Sequence, residues 1–173
     1  MSWNLDTAHS EIAFSIRHMM FAKVRGTFGK WSATVLPSDT AAFAGVSVEV
    51  DVASIDTREA QRDGHLRSGD FFDVANFPTA TFVATEVRGD LDGTFELGGT
   101  LTLRGVTHPV TLAVTHTGTG RDPWGNTRRG YRATATLDRR AYGLTWNAAL
   151  ELGGVLVGET VDLEIEVQLV AGA

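Results

Sequence analysis

The chain has 173 residues, 43% of them apolar and 21% charged, a net charge of -6 and no cysteine. That length admits one domain with a sizeable core, and the acidic balance excludes general nucleic-acid binding, which needs a basic face. Without cysteine there are no disulfides, thiolate metal sites or cysteine nucleophiles, and no apolar run approaches the roughly 20 residues of a membrane-spanning helix.

The opening residues, "MSWNLDTAHS", have neither the basic start nor the apolar stretch of a secretory leader. They point to a cytoplasmic protein, or to a periplasmic one if a leader has been removed. Alternation begins at once. Ile12, Phe14 and Ile16 alternate with Ala13, Ser15 and Arg17, the pattern of a half-buried strand. It breaks at His18-Met19-Met20-Phe21, where a turn should carry polar residues. These four either form an apolar rim to a cavity, for which the adaptable methionine side chain is suited, or cap the barrel end as ordinary core.

A weaker alternation follows from Trp31 to Leu36, then a strong one in "VSVEVDV", with Val46, Val48, Val50 and Val52 on one face and Ser47, Glu49 and Asp51 on the other. The next stretch, "SIDTREAQRDGHLRSGDFFD", has no alternation. The spacing of Asp56 and Glu59 resembles a capping box and predicts one short helix near residues 57–68. Its burial would rest on Ile55, Ala60 and Leu66, with Asp63 and Arg67 at i, i+4 and Phe71-Phe72 re-anchoring the chain.

Strand patterns resume from Ala80 to Val87 and from Phe95 to Leu103. They continue through Val110, Leu112 and Val114, through Tyr131, Ala133, Ala135 and Leu137, and through Val161, Leu163, Ile165, Val167 and Leu169. Glycine-containing breaks separate them, as in "RGDLDG" and "GTGRDPWGN". One dry and one wet face per strand is the mark of antiparallel sheets. Long strands joined mainly by hairpins predict an all-β fold, an eight-stranded antiparallel up-and-down barrel spanning 1–173 as a single domain, with a sandwich as the alternative.

A small barrel is either filled by its own side chains or holds a ligand. Several inferred inward positions are small, among them Ala33, Ala84, Ala133 and Ala135, with glycine pairs at Gly98-Gly99 and Gly153-Gly154. Composition leaves the filled and hollow readings equally open. The five histidines, His9, His18, His65, His108 and His116, form no HxH, HxxH or HExxH pair, so separate hydrogen-bonding roles are expected and no metal. Residues 121 to 140 hold Arg121, Arg128, Arg129, Arg132, Arg139 and Arg140. They suit either a pyrophosphate head group or cross-strand pairing with Asp162, Glu164 and Glu166, and the latter is the ordinary outcome. No G-x-S-x-G, P-loop or G-x-G-x-x-G is present, and adjacent His9 and Ser10 would point to opposite faces.

The stretch "LDTAHSEIAFSIRHMMFAKVRGTF" resembles the opening signature of the YceI family, with Asp6, His9, Ser10, Phe14, His18, Gly26 and Phe28 in place. "RDGHLRSGDFFDVANFPTATF", "GTLTLRGVTHPVTL", "DRRAYGLTW" and "GGVLVGETVDLEIEVQL" resemble its later parts, in order and over nearly the whole chain. The resemblance implies a lipocalin-like barrel that binds a long polyisoprenoid, such as a prenyl quinone or prenyl pyrophosphate, as a carrier or store. It implies no catalysis and no cofactor beyond the lipid, in a bacterial protein without nucleic-acid partners; a homodimer is left open. An enzyme acting on a prenyl lipid and a filled barrel serving as a protein-interaction module are the competing readings. Alternation and resemblance together nominate a lipid-lining set: Phe14, Ile16, His18, Met19, Met20, Phe28, Val48, Val50, Phe71, Phe72, Phe82, Leu101, Leu103, Leu112, Val114, Ala133, Ala135, Trp146, Leu163 and Ile165.

Overall fold

The computed structural model describes residues 3–35, 45–151 and 154–172; the expected strand end at Leu36 and the glycine at Gly153 lie outside the described residues. The alternating segments form strands β1 (Trp3–Leu5), β2 (Glu11–His18), β3 (Ala22–Phe28), β4 (Trp31–Thr34), β5 (Ser47–Asp51) and β6 (Ile55–Asp56). After helix α1 (Ala60–Arg67) come β7 (Thr79–Gly89), β8 (Thr94–Leu103), β9 (Val106–Arg121), β10 (Thr127–Asp138) and β11 (Val157–Ala171). All pairings are antiparallel, in the order β4-β5-β7-β8-β9-β10-β11-β2-β3-β6, with β1 on β11. The result is a curled antiparallel half-barrel with eleven strands among the described residues, not eight.

The difference has a local cause. The chain bends at Gly29-Lys30, dividing one long run into β3 and β4, and turns through a 3-10 segment at Val52–Ser54, dividing another into β5 and β6. Main-chain bonds cross this corner, Gly29 N–H to Ser54 O at 3.2 Å and Asp51 N–H to Lys30 O at 3.0 Å. They link the two edges of the curled sheet. Trp3–Leu5 is too short to show alternation and takes its place by pairing with Leu169 to Ala171.

The inward rows follow the period-two pattern. Tyr131, Ala133, Leu112 and Val114 are buried, while Arg132, Thr134, Thr111 and Ala113 between them are exposed. Outward cations on β10 pair across the strand, Arg132 with Glu164 at 3.1 Å and with Glu166 at 3.5 Å. At one end of the sheet Phe95, Leu97, Leu112, Val114, Tyr131, Ala133 and Leu169 pack into a buried cluster, with Ala135 against it. That end is also tied from outside. Arg128 donates to Asp6 Oδ2 at 2.5 Å, Gln168 Oε1 at 2.8 Å and Asp122 Oδ2 at 2.9 Å. Its guanidinium, with His9 second, holds the Asp6 carboxyl down at about 2. The tie therefore stabilises the fold above the ordinary carboxyl value of 3.8 and is lost as pH falls through about 2.

Helix α1 starts later than the sequence suggests. Glu59 is its N-cap and accepts from the Arg62 amide, whereas Asp56 accepts from the Arg58 amide at 2.8 Å and shapes the preceding turn. Ala60 is exposed, and the helix's buried residue is Asp63. Asp63 makes no pair with Arg67. Its Oδ1 accepts from the Thr57 amide at 2.9 Å and hydroxyl at 2.5 Å. Arg67 instead donates to Ala53 O at 2.9 Å and Ile55 O at 3.0 Å, fixing the helix to the corner. A polar clamp thus works beside the apolar anchors the sequence suggested, of which Ile55 and Leu66 pack inward and Ala60 does not. No helix among the described residues is long and apolar enough to cross a membrane.

Asp63→Ala should lower stability by about 2–3 kcal/mol in urea denaturation, because it strips buried Thr57 of its acceptor. Gln61→Ala, on the exposed side of the same helix, should stay within about 0.5 kcal/mol.

Candidate functional site

Beyond the filled end, the curled sheet encloses a cavity of about 310 Å³. The molecule is thus filled at one end and hollow at the other. The lumen is lined by Ile12, Phe14 and Ile16 of β2, Val24 and Phe28 of β3, Val48 and Val50 of β5, and Phe82 of β7. Leu101 and Leu103 of β8, Leu112 of β9, and Val161, Leu163 and Ile165 of β11 complete the sheet wall. Leu66, Phe71, Phe72, Leu144 and Trp146 close the side that the sheet leaves open.

Two aromatic–glycine packings keep the lumen clear. Phe14 and Gly26 are direct cross-strand partners, and a Cβ on Gly26 would fall inside the Phe14 ring and 3.0 Å from Thr57 Cγ2. On the other wall, a Cβ on Gly99 would strike the Val83 carbonyl and approach Phe82 Cε2 to 2.8 Å. Each ring lies back over a missing side chain and so occupies wall rather than lumen. Tilted and edge-to-face rings continue the wall: Phe14–Phe28 at 5.6 Å, Phe28–Phe72 at 6.1 Å and Phe71–Trp146 at 5.5 Å between centroids.

The expected small-residue lining is not what makes the space. Ala133 and Val114 lie in the filled end, Ala135 packs against it, and Ala84 is buried there too. None of these lines the lumen, which is bounded by large apolar residues. Met19 and Met20 also lie off its wall. They sit on the β2–β3 turn, 41% and 55% exposed, with Phe21 78% exposed, so the turn is not a core cap. The other nominated residues do line the lumen: Phe14, Ile16, His18, Phe28, Val48, Val50, Phe71, Phe72, Phe82, Leu101, Leu103, Leu112, Trp146, Leu163 and Ile165.

Sequence reasoning missed several groups in the wall. Arg17, Arg62, His65 and Arg139 line it beside His18, and among the described residues no carboxylate does. Arg139 is 5% exposed and donates to four main-chain carbonyls, those of Gly158, Leu144, Trp146 and Val157, at 2.6 to 3.3 Å. It belongs to none of the cross-strand ion pairs expected of this arginine group. Desolvation by burial pulls its pKa down, against the upward pull of Glu159 and Asp138, and burial pushes the Tyr142 phenol up. The signal was present, since 139 continues the inward parity of Tyr131, Ala133, Ala135 and Leu137. Arg62 donates to Thr57 Oγ1 at 2.7 Å and Thr57 O at 2.8 Å. His65 meets Asp70 at 2.8 Å and packs edge-on against Trp146 and Phe71.

The lumen reaches the surface beside Arg17, which lines it and is itself exposed. There Leu156 N–H donates to Ala148 O at 2.8 Å, and Met19 N–H donates to Leu156 O at 2.7 Å. Met20 rests against Gly154. The remaining histidines are dispersed: His9 on Asp6, His108 on Ala141 O, and His116 on Asp92 O and Thr119. Ser10 faces away from His9 chemistry and accepts from the Gln168 amide at 2.9 Å. Among the described residues no group of three or more metal-ligating side chains converges.

The profile of the YceI-like domain family matches residues 3–169. A UPF0312 protein of Vibrio vulnificus is 41% identical over 132 residues, covering 76% of this chain and 70% of its own. Among solved structures, BcnA of Burkholderia cenocepacia superposes with a TM-score of 0.81 at 22% identity, over 95% of this chain and 99% of its own. A polyisoprenoid binding domain from Saccharophagus degradans, implicated in plant cell wall breakdown, superposes with a TM-score of 0.71 at 17% identity, over 99% of each chain.

Gly26→Ala should drive the Phe14 ring into the lumen, at a cost of about 1–3 kcal/mol for overpacking. Adding Phe14→Leu should recover most of that loss. A thermal-melt double-mutant cycle showing no coupling would mean that ring and glycine do not share the wall as described.

Proposed function

The chain belongs to the YceI-like family, and from that premise we propose that its lumen holds the hydrocarbon tail of a long-chain polyisoprenoid lipid. The observation that carries this reading is the lumen itself, a mainly aromatic and aliphatic wall that reaches the surface at Arg17 and has no carboxylate among the described residues. A polyisoprenoid tail offers only carbon and hydrogen, so such a wall leaves none of its groups unsatisfied. Each methylene taken from water contributes about 0.8 kcal/mol, and the methyl branches can settle between rings. The fold shared with the Saccharophagus polyisoprenoid binding domain supports the same class of ligand.

The head group belongs at the mouth. Arg17 and His18 stand there as donors, which suits the oxygens of either a prenyl quinone or a prenyl pyrophosphate. Deeper in, the basic groups are already committed: Arg139 to carbonyls, Arg62 to Thr57 and His65 to Asp70. Their hydrogen bonds shape the wall, and the His65–Asp70 pair holds the imidazole edge-on to Trp146. This supports a carrier or store rather than an enzyme.

Native mass spectrometry of freshly purified protein tests the proposal. The expected result is a bound mass whose members differ by whole isoprene units. Stripped protein should take up an added prenyl quinone unchanged. Val50 faces the lumen and Glu49 the solvent. Val50→Arg should therefore cut retention at least tenfold, more than about 1.4 kcal/mol, while Glu49→Arg leaves it intact. An empty protein that takes up no prenyl lipid would sink the proposal; conversion of the added lipid would replace the carrier with an enzyme.

A further inference from the structure

The β2–β3 turn has features that lumen lining does not explain. Of the five large hydrophobic residues exposed among the described residues, three are consecutive on this turn: Met19, Met20 and Phe21. The ladder ends at His18–Ala22, so the three form the whole loop. Met19 and Met20 have φ of 53° and 67°, the left-handed region that glycine and asparagine favour. The chain thus holds apolar side chains out in solvent on a backbone ill-suited to them.

Directly behind the loop, Arg17 and Lys23 face each other across the ladder. Both are exposed, and neither joins an ion pair among the described residues. Like charges directly opposite weaken a sheet. Several outward cations elsewhere are paired, Arg25 with Glu11, Arg88 with Glu96 and Arg140 with Glu159, whereas exposed Lys30, Arg58 and Arg121 join none among the described residues but do not face a second cation. In a chain of net charge -6, two facing cations with no carboxylate paired to them among the described residues leave a local positive patch at the base of an apolar loop.

We propose that this hairpin tip docks on an anionic lipid bilayer and sets the mouth of the lumen against the membrane. The inference rests on the lipid-binding reading and adds the surface from which lipid is loaded or delivered. The dimensions agree. A strand rise of about 3.4 Å per residue sets Lys23 about 7 Å behind Phe21. Interfacial apolar faces enter the boundary of headgroups and acyl chains to about 5–10 Å. Phe21 and Met20 then lie among the upper acyl carbons, with Arg17 and Lys23 at phosphate level. Arg17 and His18 also line the lumen, so a docked tip places its opening at the headgroups. Trp124, the other strongly exposed aromatic, stands alone on the β9–β10 turn, near the filled end.

The test is co-sedimentation of the full chain with phosphatidylglycerol–phosphatidylcholine vesicles and with phosphatidylcholine vesicles. The mixed vesicles should bind it more strongly. Met20→Ser with Phe21→Ser should weaken partitioning at least about tenfold, and Lys23→Gln about fivefold on the anionic vesicles only. Trp124→Ser should change nothing, and all three variants should keep the wild-type melting temperature. Native mass spectrometry of the Met20/Phe21 variant separates the two proposals: a lipid-loaded variant that no longer binds vesicles supports docking. Absence of vesicle binding by the wild type, equal loss in Trp124→Ser, or a tip-dependent dimer in place of vesicle binding would overturn the docking proposal. Each of those results would leave the lipid-retention measurement standing.

Discussion

The controlling constraint is the width of a curled sheet whose inner face is largely apolar. A sheet of this many strands encloses more space than one layer of inward side chains can fill, because the diameter grows with strand number. Phe95, Tyr131, Leu97, Leu112 and Leu169 fill one end. At the other, Phe14 and Phe82 lie back over Gly26 and Gly99 and leave the middle empty. Other features fit around this division. Arg128 ties the filled end from outside, while Arg139 and the Thr57–Asp63–Arg62 clamp hold irregular chain over the hollow end.

Polar groups near the lumen show how a dry space is kept beside irregular chain. A loop over a hollow brings carbonyls that have no ladder partner, and burying them unpaired is costly. Arg139 meets two of these, those of Leu144 and Trp146, and two more at the start of β11, those of Val157 and Gly158, and so sets where Leu144, Trp146 and Val157 stand in the wall. A lysine could not reach them all, since the guanidinium offers five donors in a fixed plane. The cation is thus a structural centre for the loop rather than a member of the outward charge pattern.

Much of the wall was legible because period-two alternation is set by backbone geometry. The β5 row, Val46 to Val52, and the β11 row, Val161 to Leu169, face inward as read. Parity says which face a residue takes but not how far along the strand the lumen extends. For that reason Val114, Ala133 and Ala135 were placed in the wall although they belong to the filled end. Small residues suggested empty space, yet in the structure they accommodate large neighbours, and the open space follows from sheet width. The corner at Gly29-Lys30 and the Glu59 cap depend on hydrogen bonds to distant or side-chain partners, which no local pattern announces. Arg139 was misplaced for a different reason: its charge was weighed above its parity.

A tube sealed at one end measures from its floor. Phe95, Leu97 and Tyr131 fill the end away from Arg17, so a tail held as proposed would enter from the Arg17 side and leave by the way it came. On that reading a guest lies in one orientation, with its tail leading and its polar end last. A tail shorter than the bore leaves apolar wall uncovered, and a longer one leaves carbons projecting into water. Both are penalised through the same exposed area. The sealed end thus turns burial, which has no direction of its own, into a preference for chain length, and the polar end plays no part in setting it.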